Sequence, residues 1–320
     1  MIVKECFLKF NMKKIFALFL MLLLFPLASC ADTKSDVVAT NFVGYDAARA
    51  VVGSEDIKLN MLLKPGLDIH SYEPSASDIR TILDAKVFIY VGGESDEWVE
   101  TTLLPQLEGK SVKVISMFDI LEDELLLEDG EEDEYDEHVW TNPLNYKKVI
   151  DGVGATLKEV YPEKASAFDK NVSEYTNKLT LLDNEINSIV SSSSVKSIVV
   201  ADRFPFLYFV KRYKLDYLGA LSGCSQDTNV PTNKIVELKN KVEEKKLKYI
   251  FILEMSNGRI ASSVKSEIDK DIKNKNYDGI SPSIEYFYSI QNISKDDFNK
   301  KYDYLYYMNL NKEALRKLFN

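Results

Sequence analysis

The stretch YPEKASAFDKNVSEYTNKLTLLDNEINSIVSSSS, residues 161–194, decides how the rest of the chain is read. Pro162 suits a helix start, where its missing N–H has no intrahelical partner to lose. Beyond it Phe168, Val172, Tyr175, Leu179, Leu182, Ile186 and Ile189 recur at steps of four and three. That rhythm lays one apolar stripe along a helix of about seven turns, with Lys, Glu, Asp and Asn on its other faces. The serine run 191–194 closes it. On either side, short apolar β-rich runs alternate with helical patterns, which predicts parallel sheets built from βαβ units. The expected fold class is α/β, with two lobes, each a mostly parallel four-stranded sheet flanked by helices, joined by one long rigid helix. A ligand site is expected in the cleft between the lobes. The alternative is an ordinary long helix inside a single domain.

Outward from that helix, the first lobe reads as strands over 37–43, 57–63, 87–91 and 112–116. Helices fall over 45–52, over 78–85 with Ser77 as cap, and around 98–107 after the Gly92-Gly93 turn. Asn142-Pro143 opens another helix that leads into the long one. The acidic stretch 122–137 is expected to be a solvated, mobile loop, because like charges repel. The second lobe repeats the plan, with strands over 196–201, 216–221, 249–253 and 284–289. Its helices are expected over 206–213, 231–246 and 259–270, and Ser294 caps a long terminal helix.

Lys13-Lys14, the apolar run 15–27 and the closing Leu27-Ala28-Ser29-Cys30 have the layout of a secretory signal. The run is short for a membrane span, which takes about 20 residues. The closing cysteine resembles a bacterial lipoprotein signal, with Cys30 as the lipid-bearing first residue and Met12 as an alternative start. The predicted organisation is a signal peptide over 1–30, a first lobe over 31–160, a linking helix over 161–194 and a second lobe over 195–320. Cys224 is then the one cysteine left in the mature chain, so no internal disulfide is available. Its simplest reading is a small buried residue. At 320 residues and 45% hydrophobic content the chain can bury one or two full cores. A net charge of −10 argues against nucleic acid as a partner.

The chain holds two histidines. His70 lies in Pro65-Gly66-Leu67-Asp68-Ile69-His70-Ser71-Tyr72-Glu73-Pro74, and His138 in Asp136-Glu137-His138-Val139-Trp140-Thr141-Asn142-Pro143. Both fall in loops past strand ends or at helix starts, where open α/β sheets hold ligands. A loop histidine is ordinarily a surface residue. Two in matching places beside carboxylates admit a divalent metal without requiring one. There is no His-Glu-x-x-His helix, Gly-x-Ser-x-Gly elbow or phosphate loop, so no catalytic motif is expected.

These two segments resemble those of the metal-binding lipoproteins of zinc and manganese ABC importers, the cluster A-I (cluster 9) solute-binding proteins. That family carries Pro-Gly-x-Asp-x-His-x-Tyr-Glu-Pro-x-x-x-Asp and Asp-x-His-x-Trp-x-x-Pro, matched here by residues 65–78 and 136–143. Glu97-Trp98 and the segment 294–310 are also similar to family elements, so the resemblance covers nearly the whole mature chain. It implies capture of Zn²⁺ or Mn²⁺ as transported ligand, with His70 and His138 as metal ligands. It further implies an ABC permease with its ATPase as partners, attachment to the cell membrane through a lipid anchor, and no catalysis.

The second lobe departs from the family pattern. The positions matching the usual third and fourth ligands are Arg203, beside Asp202, and Tyr288. Arginine stays protonated and is no ligand, and tyrosine ligates mainly hard ions once deprotonated. Glu254, at the end of the strand over 249–253, and Asp227, in a loop after another strand, are the candidate substitutes. Asp202 is expected to pair with Arg203. Two imidazoles with carboxylate or water accept either ion, with affinity falling as pH drops through about 6.5. The alternatives are a drifted member that binds an anionic or chelated ligand or a protein partner, and a secreted metal-dependent hydrolase using the two histidines.

Overall fold

The computed structural model describes residues 34–128, 133–225 and 230–319; the signal-like segment with Cys30 lies outside them. The first sheet comprises β1 (Val37–Ala39), β2 (Leu59–Met61), β3 (Val87–Tyr90) and β4 (Lys113–Ser116) in the order β2-β1-β3-β4. The second comprises β5 (Ser197–Phe204), β6 (Asp216–Ser222), β7 (Tyr249–Ile252) and β8 (Ser283–Tyr286) in the order β6-β5-β7-β8. All the strand pairs in these two sheets are parallel. The central strands β1 and β3 are buried throughout, because helices cover both faces of a parallel sheet.

The long helix is present. A turn over Pro162–Lys164 runs into Ala165–Ser192, a helix of 28 residues. Phe168, Tyr175, Leu179, Leu182 and Ile186 are buried as the stripe requires, while Val172 and Ile189 pack partly buried against the same core. The helix lies against Phe42–Val52, Pro143–Val160 and Tyr304–Phe319. The buried cluster beneath it continues from the first sheet into the second. The helix is thus a packed element of one continuous core rather than a bare connector. A second cluster, with Val38, Ile82, Phe88 and Leu103, covers the opposite face of the first sheet.

Several boundaries differ from expectation, mostly because a polar cap overrides a neighbouring apolar run. β1 stops at Ala39, since Asn41 accepts from the Gly44 N–H at 3.1 Å and starts the first helix at Phe42. Ser75, not Ser77, caps Ala76–Leu83, in a reciprocal capping box with Asp78. The expected helix around 98–107 is a π-helical turn, Val99–Leu103, followed by one α turn, Leu104–Leu107. Ser294 caps only Lys295–Asn299; Lys301 takes a positive φ of 59°, and a separate helix, Tyr304–Phe319, follows.

The acidic stretch is only in part the solvated loop expected: Glu122, Asp123, Glu124, Asp133 and Glu134 are exposed. Its described parts pair, with an antiparallel bridge between Leu127 and Tyr135 and Asp136 N–H on Leu126 O at 2.9 Å. Glu128, Asp136 and Glu137 are buried. These carboxylates find N–H partners inside the fold, which outweighs the mutual repulsion that the composition suggested.

Asp96, after the Gly92-Gly93 turn, accepts from Val91 N–H at 2.9 Å and Gly92 N–H at 3.2 Å while fully buried. Burial pushes its carboxyl up to about 6, against the pull of those two donors. The folded protein therefore holds this proton more tightly than the unfolded chain does. The stability it contributes is present below about pH 4 and is lost as pH rises through about 6, on the order of 3 kcal/mol at most. Asp96→Asn is expected to flatten the fall in melting temperature between pH 4.5 and 7. An unchanged slope in pH-resolved thermal unfolding would overturn that assignment.

Candidate metal centre

The residues that meet in the cleft come from segments just beyond the carboxyl ends of strands in both sheets, where a parallel α/β sheet leaves its crevice. His70 rides on a single helical turn, Ile69–Ser71, whose cap is Asp68: its carboxylate accepts the His70 N–H at 3.2 Å. His70 Nδ1 lies 3.0 Å from Ser95 Oγ and 3.9 Å from a Glu137 oxygen. His138 is fully buried, and Asp136 Oδ1 meets both its backbone N–H, at 2.8 Å, and its Nδ1, at 3.1 Å. The Trp140 ring stands edge-on to it at 5.4 Å and is itself fixed by its N–H on Ser289 O at 2.7 Å.

The two imidazoles are therefore brought together, with ring centroids 5.6 Å apart. Two imidazoles on one tetrahedral zinc, with Zn–N near 2.0–2.1 Å, place their centroids roughly 5 Å apart. The pair is close to that spacing.

The surroundings set the protonation. His138 Nδ1–H points at Asp136, the carboxylate–histidine arrangement that leaves Nε2 as the ligating nitrogen. Nε2 stands 2.7 Å from Gln291 Oε1, an acceptor. Burial opposes charge on this ring, but Asp136 and Glu137 outweigh it and raise its basicity. His70 goes the other way: burial, then the nearby His138, pull it down to about 4, so it is neutral at ordinary pH. Burial raises the Glu137 carboxyl to about 7, against the Ser95 N–H it accepts at 2.6 Å. Burial, with Glu137 and Glu128 beside it, pushes the Cys224 thiol far up. Neither ring keeps the ordinary imidazole value near 6.5, so the expected pH dependence at that value does not describe this pair.

The second-lobe candidates are placed differently from expectation. A register shift in β5 between Val200 and Arg203 precedes Arg203. The Arg203 guanidinium crosses to Asp68 at 2.8 Å instead of pairing with Asp202, whose carboxylate takes Ser256 Oγ and the Arg203 N–H. Tyr288 is pinned by its backbone to Asn311, at 2.7 and 2.8 Å, and its ring packs on Tyr307 and Tyr286. Gln291, three residues on, is the side chain that reaches the histidines. Glu254 is fully engaged: its oxygens accept from Ser289 N–H at 2.8 Å, Ser289 Oγ at 2.6 Å and Ile290 N–H at 2.8 Å. It builds the turn that carries Gln291. Asp227 lies outside the described residues. Cys224 is half-buried, and its Sγ, a His70 ring nitrogen and a Glu137 oxygen all lie within 4.8 Å of one another.

Gln291, Glu137 and Ser95 were not reached from the sequence. The available signal for Gln291 was its place between Ile290 and Ile293, both buried, which turns the short segment inward. Glu137 was masked by the acidic run around it. Gly93 is needed there: its φ is +82°, and a Cβ would come within 2.7 Å of Glu137 Cγ.

Two parallel four-stranded sheets flanked by helices, with one long helix packed against the core they share, make up the fold. The chain belongs to the ZnuA family, zinc-uptake complex component A, periplasmic, whose profile matches residues 37–318. It is 29% identical over 326 residues to the zinc-binding lipoprotein AdcA of Streptococcus pneumoniae TIGR4, covering 96% of this chain and 61% of AdcA. The chain thus spans about three-fifths of that relative. It is 26% identical to the high-affinity zinc uptake system protein ZnuA of Bacillus subtilis, covering 89% of each. The crystal structure of the Zn(II)-bound ZnuA-like domain of S. pneumoniae AdcA matches with a TM-score of 0.72 and 27% identity, over 89% of this chain and 99% of that one. The metal-dependent lipoprotein YcdH of B. subtilis shares the fold, with a TM-score of 0.74 at 23% identity over 89% of this chain and 99% of that one.

Proposed function

We propose that this chain is a receptor that captures a divalent metal ion, Zn²⁺ foremost, between its lobes and passes it to an ABC permease powered by its ATPase. The carrying observation is the His70–His138 pair, 5.6 Å between ring centroids, with His138 oriented by Asp136. The names of the relatives, zinc-binding and zinc-uptake proteins, support the same ion. Imidazole donors suit zinc, whereas manganese prefers more oxygen ligands.

No bond is made or broken in the cargo. His70 offers a neutral nitrogen, His138 releases its Nε2 proton as the ion arrives, and Gln291 turns its oxygen toward the same point. A drifted member binding an anion would present Arg203 as a free cation, yet Asp68 neutralises it here. Among the described residues no helix is long and apolar enough to cross a membrane. An extracytoplasmic place, with acyl chains on Cys30 as the anchor, fits that; stable attachment takes two such signals. Calorimetric titration of the metal-stripped chain is expected to show one Zn²⁺ per chain with a Kd below about 1 μM, beyond about −8 kcal/mol. Mn²⁺ is expected to bind at least about tenfold more weakly. No binding of either ion overturns the reading.

A further inference from the structure

We propose that the ion is held by a mixed nitrogen, oxygen and sulfur donor set drawn from both lobes, a His70 ring nitrogen, a Glu137 oxygen and the Cys224 thiolate, which makes the receptor selective for thiophilic divalent ions. This rests on the metal-receptor reading above and specifies its donors; His138 and the Gln291 oxygen that it meets at 2.7 Å lie beside them.

The second lobe needs a donor, and the obvious positions do not supply a charged one. Arg203 is committed to Asp68, Glu254 to the 289–290 turn, and Gln291 brings only a neutral amide oxygen. Cys224, in the loop after β6, does share a point with the first-lobe donors, all three ligand atoms lying within 4.8 Å of one another. On a tetrahedral zinc such donors sit roughly 3.3–3.7 Å apart, so about 1 Å of contraction closes the shell. The Gly223-Cys224 step is already held in place. Cys224 N–H donates to Glu128 at 3.1 Å, and a Cβ on neighbouring Gly223 would lie only 3.3 Å from His138 Cε1 and 3.4 Å from Asp136.

The approach to this point is also suited to a cation. A cavity of about 320 Å³ is lined by Glu94, Glu97, Glu128, Glu134, Glu137 and Cys224. Such a carboxylate-walled opening concentrates cations at the thiol. On binding, the metal–sulfur bond replaces the S–H bond and the proton leaves to solvent. Thiolate favours Zn²⁺ and Co²⁺ over Mn²⁺.

Cobalt(II) reports the sulfur directly. Titrating the reduced, metal-stripped full chain with Co²⁺ is expected to raise a thiolate-to-cobalt charge-transfer band. Cys224→Ser should abolish that band although Cys6 and Cys30 remain, and weaken zinc binding by about 10- to 100-fold. In the unmutated chain Zn²⁺ should slow alkylation of Cys224, read by peptide mass spectrometry, which needs no variant to fold. Co²⁺ binding without the band, or with a band that survives Cys224→Ser, overturns the donor set while leaving a metal receptor. Absence of Co²⁺ and Zn²⁺ binding overturns both.

Discussion

His70→Ala is expected to lower zinc affinity by at least about 100-fold while leaving the unliganded fold within about 1 kcal/mol of its stability. The two effects separate because His70 is held neutral and sits on a one-turn helix whose Asp68 cap bonds backbone rather than ring. His138 gives no such separation. It is fully buried between Asp136 and Gln291, so its removal strands a carboxylate and an amide as well. A chelator-competition titration reads the first effect. Ligand-linked unfolding reads it a second way: zinc at 100 times Kd should add about 2.7 kcal/mol to the wild type and almost nothing to His70→Ala. Gln291→Glu should move oppositely, tightening zinc by roughly tenfold, because a carboxylate replaces a neutral oxygen beside the ion. Wild-type affinity in His70→Ala would remove the histidine pair from the site.

The parts of this molecule legible in the sequence are those encoded locally. The stripe from Phe168 to Ile189 marks the long helix because one face of it meets one core. The β-rich runs mark the two sheets because both faces of a parallel strand are apolar. The histidine motifs were legible through resemblance, with the metal reading left open by residue physics alone. What the sequence hid was long-range. Asp136 and Glu137 looked like two more charges in an acidic run, since nothing nearby shows that Tyr208 Oη caps the Asp136 carbonyl at 2.9 Å or that Ser95 N–H waits for Glu137. The fourth position was placed on Tyr288 because the Glu254-bound turn, with Ile290 at a φ of +67°, carries the chain three residues further before it faces the cleft. Arg203 looked like the partner of its neighbour, and the structure joins it to a residue 135 positions away.

Asp46→Ala is expected to be the most damaging single substitution outside the site, costing at least about 4 kcal/mol. Asp46 lies inside the first helix, where a lone acid between apolar neighbours would ordinarily face solvent. Instead it is buried, and its carboxylate accepts from Arg49 Nε at 3.0 Å and Nη2, Tyr175 Oη at 3.2 Å, Tyr146 Oη at 3.4 Å and Tyr304 N–H at 3.0 Å. Arg49 in turn donates to Tyr302 O at 2.8 Å. One side chain thus ties the first helix, the helix over Pro143–Val160, the long helix and the start of the last helix. Removing it leaves a half-buried guanidinium, a buried N–H and the Tyr175 hydroxyl without their acceptor, and each unpaired buried donor costs about 1–3 kcal/mol. Urea unfolding measures the loss, with a fall in melting temperature on the order of 10 °C. Asp46→Asn, which keeps an acceptor but not the charge, should lose roughly half as much. Adding Arg49→Ala to Asp46→Ala should cost less than the sum of the two, because the stranded cation is then gone. A loss below about 1 kcal/mol for Asp46→Ala would mean that the long helix is held by its apolar stripe alone, with the buried carboxylate contributing nothing net to how the helices meet.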